Sequence, residues 1–347
     1  MSTSVDEDRD WRALPRVGRA TMKDVAALAG VGVKTVSRVV NGERYVSEET
    51  RTAVERAIVQ LRFQRNTGAA SLRHGSSATI GLIVEDIAEP FQSNFARAVE
   101  GLAIANGTLL FTASSSDNID REREMALSLI ARRVDGLIVI PSPFDHGFLQ
   151  PELAAGLPIV FADRPPLGLV ADSVTSDNRG GARAAVTHLI EQGCRRVVYI
   201  GDGEDIYTGA ERLAGYRDAL ADADIPLDSD LVFLGHPDSA RSEAALRTSF
   251  TGATQPTGLF TGNTLNTIAT LRTAAYAEFL PAHVAFDDFE LADLMARPLT
   301  VVAQDPAEMG RRAAGLLFDR LENGPGPHET VTLPTRLILR DSSRTAR

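Results

Sequence analysis

The sequence predicts two architectures in one chain, a small all-α module within the first seventy-five residues and a larger α/β body after it. Helical periodicity with caps and a glycine turn runs through 21–61. From residue 79 onward, short apolar runs alternate with helical stretches, the pattern of buried parallel strands and their crossovers. Charge divides the same way: the chain carries −10 overall, yet residues 21–75 hold nine Lys/Arg against five acids, residues 1–20 balance, and the remainder carries −14. A basic module on an acidic body suits a protein that meets phosphates at one end only.

A length of 347 residues exceeds one ordinary domain, and 44% hydrophobic with only 6% aromatic residues favours α/β over an aromatic-rich sandwich. Cys194, the single cysteine, has no intrachain partner and reads as a small packing residue. The first twenty residues hold four acids and four bases in place of an apolar leader, and no apolar run approaches the roughly 18 residues of a membrane span. A cytoplasmic protein with no membrane partner is expected.

Residues 1–20 show no sustained period and read as a tail. Thr21-Met22-Lys23-Asp24 has capping-box spacing, so a helix should follow with Val25, Ala26, Leu28 and Ala29 as its apolar side. Gly30-Val31-Gly32 breaks it. A second helix, 33–41, turns Val36, Val39 and Val40 inward and Lys34, Thr35, Ser37 and Arg38 outward; Ser47 caps a third through about Leu61. Two helices joined by a tight glycine turn, the second presenting polar side chains, make a helix-turn-helix headpiece over 21–64.

Met22-Lys23-Asp24-Val25-Ala26-Ala27-Leu28-Ala29-Gly30-Val31, then Thr35-Val36-Ser37-Arg38-Val39-Val40-Asn41-Gly42, resemble the headpiece of the LacI/GalR (lactose-repressor type) regulator family. The resemblance implies twelve candidate DNA contacts: Met22, Val33, Lys34, Thr35, Ser37, Arg38, Asn41, Tyr45, Ser47, Thr50, Asn66 and Leu72. It places Val33, Lys34 and Arg38 at base edges and Ser37, Asn41, Tyr45, Ser47 and Thr50 at the backbone. Arg38 is the best candidate for guanine, because its planar fork matches O6 and N7. Gly32 stands where the family commonly has serine, which puts one cap or phosphate contact in doubt. Residues 65–76 look like the family's hinge helix, too short to stand alone, with Leu72 as a minor-groove wedge.

Beyond the hinge, strands are expected at 80–84, 109–112, 136–140, 159–162, 197–201, 232–234, 259–261 and 284–286, with helices such as 179–192 and 212–223 between them. Gly201-Asp202-Gly203 lacks the third glycine of a dinucleotide fingerprint, and neither a phosphate loop nor Gly-x-Ser-x-Gly occurs. The six histidines lack metal-ligand spacing. No enzyme activity, cofactor or metal is expected.

The core resembles the same family's periplasmic-binding-protein-like sensor. Its matches are Glu89-Pro90-Phe91, Ala162-Asp163-Arg164, Ser176-Asp177-Asn178-Arg179-Gly180-Gly181, Arg212-Leu213-Ala214-Gly215-Tyr216, Phe286-Asp287-Asp288, Pro298-Leu299-Thr300-Val301 through Gln304, and Leu333-Pro334-Thr335-Arg336-Leu337. The resemblance implies a domain over 77–341 of two doubly wound parallel-sheet lobes, 77–175 with 304–325 and 176–303 with 326–341, and a tail over 342–347. Phe91, Asp163, Arg164, Arg212, Asn263, Asp287 and Gln304 are the candidate ligand residues: carboxylates, an amide and guanidinium groups for vicinal hydroxyls, an aromatic for a sugar's C–H face. Arg212 has a rival role as a helix pairing residue, Asp287-Asp288 as one inward and one outward carboxylate, and Asn178, Gly180 and Gly181 as shapers of a helix start.

The expectation is a sequence-specific transcriptional regulator, a repressor, associated with the nucleoid. Its partners are a near-palindromic operator in double-stranded DNA, a second copy of itself and a small-molecule effector such as a sugar. A transport-type binding protein and a sugar-modifying α/β enzyme are the rivals. No coiled-coil tetramerisation is expected from the seven residues after Arg340.

Overall fold

The computed structural model describes residues 20–40, 42–43, 45–63, 77–252 and 257–344, in two compact units, Met1–Gly75 and Ser76–Arg347. Asn41, Asn66, Leu72, the expected hinge over 65–76 and nearly all of the expected 1–20 tail lie outside, or almost wholly outside, the described residues.

In the first unit, helices α1 (Met22–Ala29), α2 (Val33–Val40) and α3 (Glu48–Gln60) enclose a small core. The capping box forms: Asp24 Oδ2 accepts from Thr21 N at 2.7 Å, and Thr21 Oγ1 accepts from Asp24 N at 3.4 Å. These hydrogen bonds hold the Asp24 carboxyl below its usual range. Gly30 ends α1 at φ +67, the left-handed conformation that glycine takes without strain. The Gly32 carbonyl accepts from Thr35 N and Val36 N and so opens α2 by backbone alone. Val25, Ala26, Val36, Val39, Val54 and Ala57 are buried together. Leu28, expected inside, is 46% exposed, because the buried stripe of this two-turn helix centres on Val25, Ala26 and Ala29 and leaves Leu28 at its edge.

The second unit is two α/β lobes. The first has a six-stranded sheet ordered β11-β5-β4-β3-β1-β2, from β1 (Thr79–Val84), β2 (Leu109–Ser114), β3 (Gly136–Val139), β4 (Ile159–Ala162), β5 (Asp172–Ser176) and β11 (Thr330–Leu333). Its helices are α4 (Pro90–Ala105), α5 (Ile119–Ala131), α6 (Gln150–Ala154) and α12 (Pro306–Asn323). The second has a sheet ordered β12-β10-β9-β8-β6-β7, from β6 (Arg196–Gly201), β7 (Val232–Leu234), β8 (Thr257–Thr261), β9 (Ala282–Phe286), β10 (Thr300–Ala303) and β12 (Arg336–Ile338). Its helices are α7 (Asn178–Glu191), α8 (Tyr207–Asp222), α9 (Ser239–Phe250), α10 (Thr264–Leu271) and α11 (Ala274–Phe279). Ladders are parallel except β10 with β12, an antiparallel edge.

Both faces of each sheet are covered, which is why the strands read as unbroken apolar runs. On β1, Ile80, Leu82 and Val84 face α4 and α12, while Ile83 faces α5. On β6, Val197 and Tyr199 face α7 and α8, while Val198 and Ile200 face α9 and α11. Cys194 packs inside the second lobe, where burial pushes its thiol up to about 11.

The chain crosses between lobes at 177, at 304–305 and at 334–335. The last crossing corrects the expected division, since β11 pairs with β5 and places 326–333 in the first lobe. The expected tail also begins too early. Ser342 Oγ donates to His283 O and accepts from Thr300 N, both at 2.7 Å, and Ser343 is buried beside it, so the fold holds at least through Ser343. β5, β10, β11 and β12 were not among the expected strands; β5 and β11 are rich in Ser, Thr and Asp, and the Asp172 carboxylate of β5 is satisfied by Arg320 and by the Glu329 N–H.

Candidate ligand cleft and DNA-reading surface

On the headpiece, α2 carries the expected reading face. Val33, Lys34 and Arg38 are exposed, Thr35 and Ser37 are half-buried, and Val36 and Val39 anchor the helix below them. Arg38 Nε lies 3.7 Å from Glu43 Oε2, an exposed pair of the kind worth little. Arg51 Nη2 donates to Glu43 O at 3.2 Å and ties the turn after α2 to α3. Tyr45 is 93% exposed. Met22 is half-buried in the first turn of α1. Ser47 accepts from Thr50 N and donates to Thr50 Oγ1, so the hydroxyls of two candidate backbone contacts serve here as the cap of α3.

In the core, all seven candidate ligand residues line one cleft that is partly open to solvent. Phe91, Asp163 and Arg164 come from the first lobe, Arg212, Asn263 and Asp287 from the second, and Gln304 from the crossover. The site sits at the C-terminal ends of the strands, where open α/β sheets bind ligands.

Several of these residues are already engaged by protein. Arg164 donates through Nη2 to Glu85 Oε2 at 2.7 Å and through Nη1 to Asp117 Oδ1 at 3.2 Å and Pro141 O at 3.3 Å. Arg212 Nε donates to Asn178 Oδ1 at 2.8 Å and Nη1 to Gly262 O at 2.7 Å, with the guanidinium 3.9 Å over the Phe286 ring. The rival role for Arg212 is a cap or pair on its own helix; its partners lie instead on α7 and in the loop before α10, and the same side chain lines the cleft. Asn263 caps α10 by accepting from Asn266 N and donates to Asp202 Oδ2, each at 2.7 Å. Gln304 Nε2 donates to Asp287 Oδ1 at 2.6 Å, while its buried Oε1 finds no partner among the described residues. Asp288 turns outward to a two-pronged pair with Arg340.

The cleft is acidic. Glu85, Glu89, Asp117, Asp163, Asp202 and Asp287 line it against Arg164 and Arg212. Burial pushes Glu89 up to about 7, with Asp287 and Asp163 adding to it. Burial likewise lifts Glu85 to about 7, against the pull of Arg164. Burial raises Asp163 and Asp202, each partly opposed by Arg164 and Arg212. For Arg164 burial opposes the charge, but Asp163, Glu85 and Asp117 more than offset it and its pKa rises. Among the described residues no group of three or more His, Cys, Asp or Glu is placed to hold a metal ion.

Sequence reasoning missed Glu85, Glu89, Gln92, Asp117, Asp202, Thr208 and His236 at this cleft. A signal was available: Glu85, Asp117 and Asp202 each lie one to three residues past a strand's C-terminal end.

A two-lobed α/β sensor with a polar cleft between its lobes, carried on the same chain as a helix-turn-helix module, defines a ligand-responsive DNA-binding protein. The comparisons agree. Residues 21–66 match the family described as bacterial regulatory proteins, lacI family, and residues 186–343 match the periplasmic binding protein-like domain. The HTH-type transcriptional regulator CelR of Thermobifida fusca is 36% identical over 342 residues, covering 95% of this chain and 100% of that protein. The ribose operon repressor of Halalkalibacterium halodurans is 31% identical over 338 residues, covering 93% and 97%. A solved CelR–cellobiose complex superposes with TM-score 0.66 at 33% identity over 93% of this chain and 100% of that one. The chain belongs to the lacI family of bacterial regulatory proteins, which are DNA-binding transcriptional regulators and not enzymes. No helix among the described residues is long and apolar enough to cross a membrane.

Proposed function

We propose that this regulator is a cytoplasmic, nucleoid-associated repressor that binds a near-palindromic operator as a homodimer and changes its operator affinity when a sugar occupies the cleft. Convergence of the seven candidate residues on one inter-lobe site carries this reading. Asp163, Asp202 and Asp287 supply acceptors for vicinal hydroxyls, Phe91 an apolar platform, and Gln304 Oε1 an unpartnered acceptor.

A second cleft of about 670 Å3 shares Phe91, Asp287 and Gln304 with the first, which leaves room for a second sugar ring. The relative whose structure holds cellobiose supports a ligand of that size. In the headpiece, Val33, Lys34 and Arg38 read base edges while Met22, Thr35, Ser37, Tyr45, Ser47 and Thr50 set the docking. Asn41, Asn66 and the Leu72 wedge complete the contacts as the family resemblance implies. Sugar binding between the lobes changes their angle and so the spacing of two headpieces, a coupling typically of about 1–3 kcal/mol.

The test is fluorescence anisotropy of full-length protein on an operator selected from random duplexes, repeated with cellobiose, glucose and ribose. A 5- to 150-fold affinity change, the span of that coupling, supports the proposal. Specific operator binding unmoved by any sugar would remove its sensing half.

A further inference from the structure

We infer that the cleft selects an uncharged, hydroxyl-rich ligand and rejects its phosphate ester, and that Glu85 and Asp117 set this choice by occupying the arginine that would otherwise clamp the phosphate. This rests on the reading that the cleft takes a sugar.

A phosphate is typically held by a free guanidinium fork, a lysine or an open helix N-terminus, and no lysine lines this cleft. Neither arginine of the cleft offers a free fork. Arg164 has both terminal nitrogens on protein oxygens, and its Nε lies 3.4 Å from Asp163 Oδ2. Arg212 is committed through Nε and Nη1 to Asn178 and Gly262, which leaves Nη2 for a hydroxyl.

Two of the helix N-termini at the cleft are filled in the same manner. Glu89 puts its own carboxylate on the N-terminus of α4, accepting from Gln92 N at 3.0 Å. Asn263 caps α10. The N-terminus of α8 has no side-chain cap; Asp202 approaches its first turn at Gly209 only through Cβ while its carboxylate accepts from Asn263 and Asn266, so at this end it is the adjacent negative charge, not a cap, that disfavours a phosphate. A phosphate would enter among six carboxylates with two guanidinium groups already shared out. The lifted pKa values of Glu85 and Glu89 show that negative charge is already unfavourable in this space. A neutral polyol meets no such penalty, since its hydroxyls donate to those same carboxylates.

The experiment is isothermal titration calorimetry of full-length protein and a Glu85→Ala/Asp117→Ala variant, which removes both of these acceptors from Arg164. The probes are glucose, cellobiose and ribose, then glucose 6-phosphate, ribose 5-phosphate and inorganic phosphate. The inference expects each ester to bind wild type at least about tenfold more weakly than its parent sugar. The double variant should narrow that ratio and gain measurable binding of inorganic phosphate. Should it fail to fold, Glu85→Ala alone frees Arg164 Nη2 and reads the same ratio. An ester binding wild type as tightly as its parent overturns the inference and leaves the sugar reading intact. An unchanged ratio in a folded variant overturns the role of Glu85 and Asp117. If no neutral sugar binds, the sugar reading fails by itself, and binding of phosphate or its esters by wild type then decides against the inference while uptake by the variant alone decides for it.

Discussion

Asp163 and Asp287 occupy matching places in the two lobes. Each follows a strand, β4 or β9, and donates its N–H to the neighbouring one, to Val174 O at 2.8 Å and to Val302 O at 2.9 Å. Each holds a left-handed backbone, at φ +65 and +74. The repeated strain turns two carboxylates into the cleft, and backbone strain of this kind is characteristic of functional sites.

Substituting either aspartate with glycine should therefore separate stability from response. Asp163→Gly or Asp287→Gly relieves the strained φ while adding unfolded-state entropy, so unfolding free energy should stay within about 1 kcal/mol of wild type. The sugar-induced shift in operator affinity should be lost. Urea unfolding together with operator titrations, with and without cellobiose, checks both; a retained response would remove the aspartate from the site.

Glu89 predicts a pH dependence of defined sign. Its folded value of about 7 lies above its ordinary 4.5, so the folded state holds more protons between those values. The contribution to stability is present below about 4.5 and is lost as pH rises towards 7. Glu89→Gln should flatten that part of the stability–pH curve and stabilise the core at pH 8, by up to about 3 kcal/mol. Melting curves of both proteins from pH 5 to 8 would show it, and parallel profiles would rule it out.

Two glycines of one helix should respond to alanine with opposite signs. A Cβ at Gly310 of α12 would stand 2.6 Å from Phe95 O and 2.9 Å from Ala98 Cβ, against α4, whereas one at Gly315 meets nothing within 4 Å. Gly310→Ala should lower stability by about 1–3 kcal/mol through overpacking. Gly315→Ala should raise it by about 0.5–1 kcal/mol through helix propensity. A Gly310→Ala protein as stable as wild type would mean that the two helices separate freely.

On DNA, Arg38→Ala should cost about 1–3 kcal/mol of discrimination at one base pair of each half-site. Glu43→Gln frees the same guanidinium from its 3.7 Å partner and should raise affinity modestly, most at low salt. Competition titrations with single-base operator variants distinguish the two. Equal loss on every sequence after Arg38→Ala would assign the residue to the backbone instead.

Local chemistry was legible wherever it acts over a few residues. The Thr21–Asp24 box, the Gly30 stop, the Ser47 cap and eight apolar strands follow from spacing and side-chain type, because each is fixed by neighbours in the chain or by burial on both faces. The seven cleft residues were found through motif resemblance and strand ends, and the fold gathers them. What spacing could not reveal was which acid meets which base. Glu85 reaches Arg164 across 79 positions, and Asp117 reaches it across 47.

The sequence by itself determined the headpiece helices, eight of the twelve strands among the described residues, the basic headpiece on an acidic core and the kind of chemistry in the cleft, since periodicity, caps and charge are local or additive properties. Only the tertiary structure decided that β11 returns to the first lobe, that Ser342 and Ser343 close the second, and that the cleft's two arginines are already engaged by the protein's own oxygens. Those outcomes depend on strand pairing and on contacts between residues far apart in the chain, where burial makes each polar group find a partner wherever the fold brings one near.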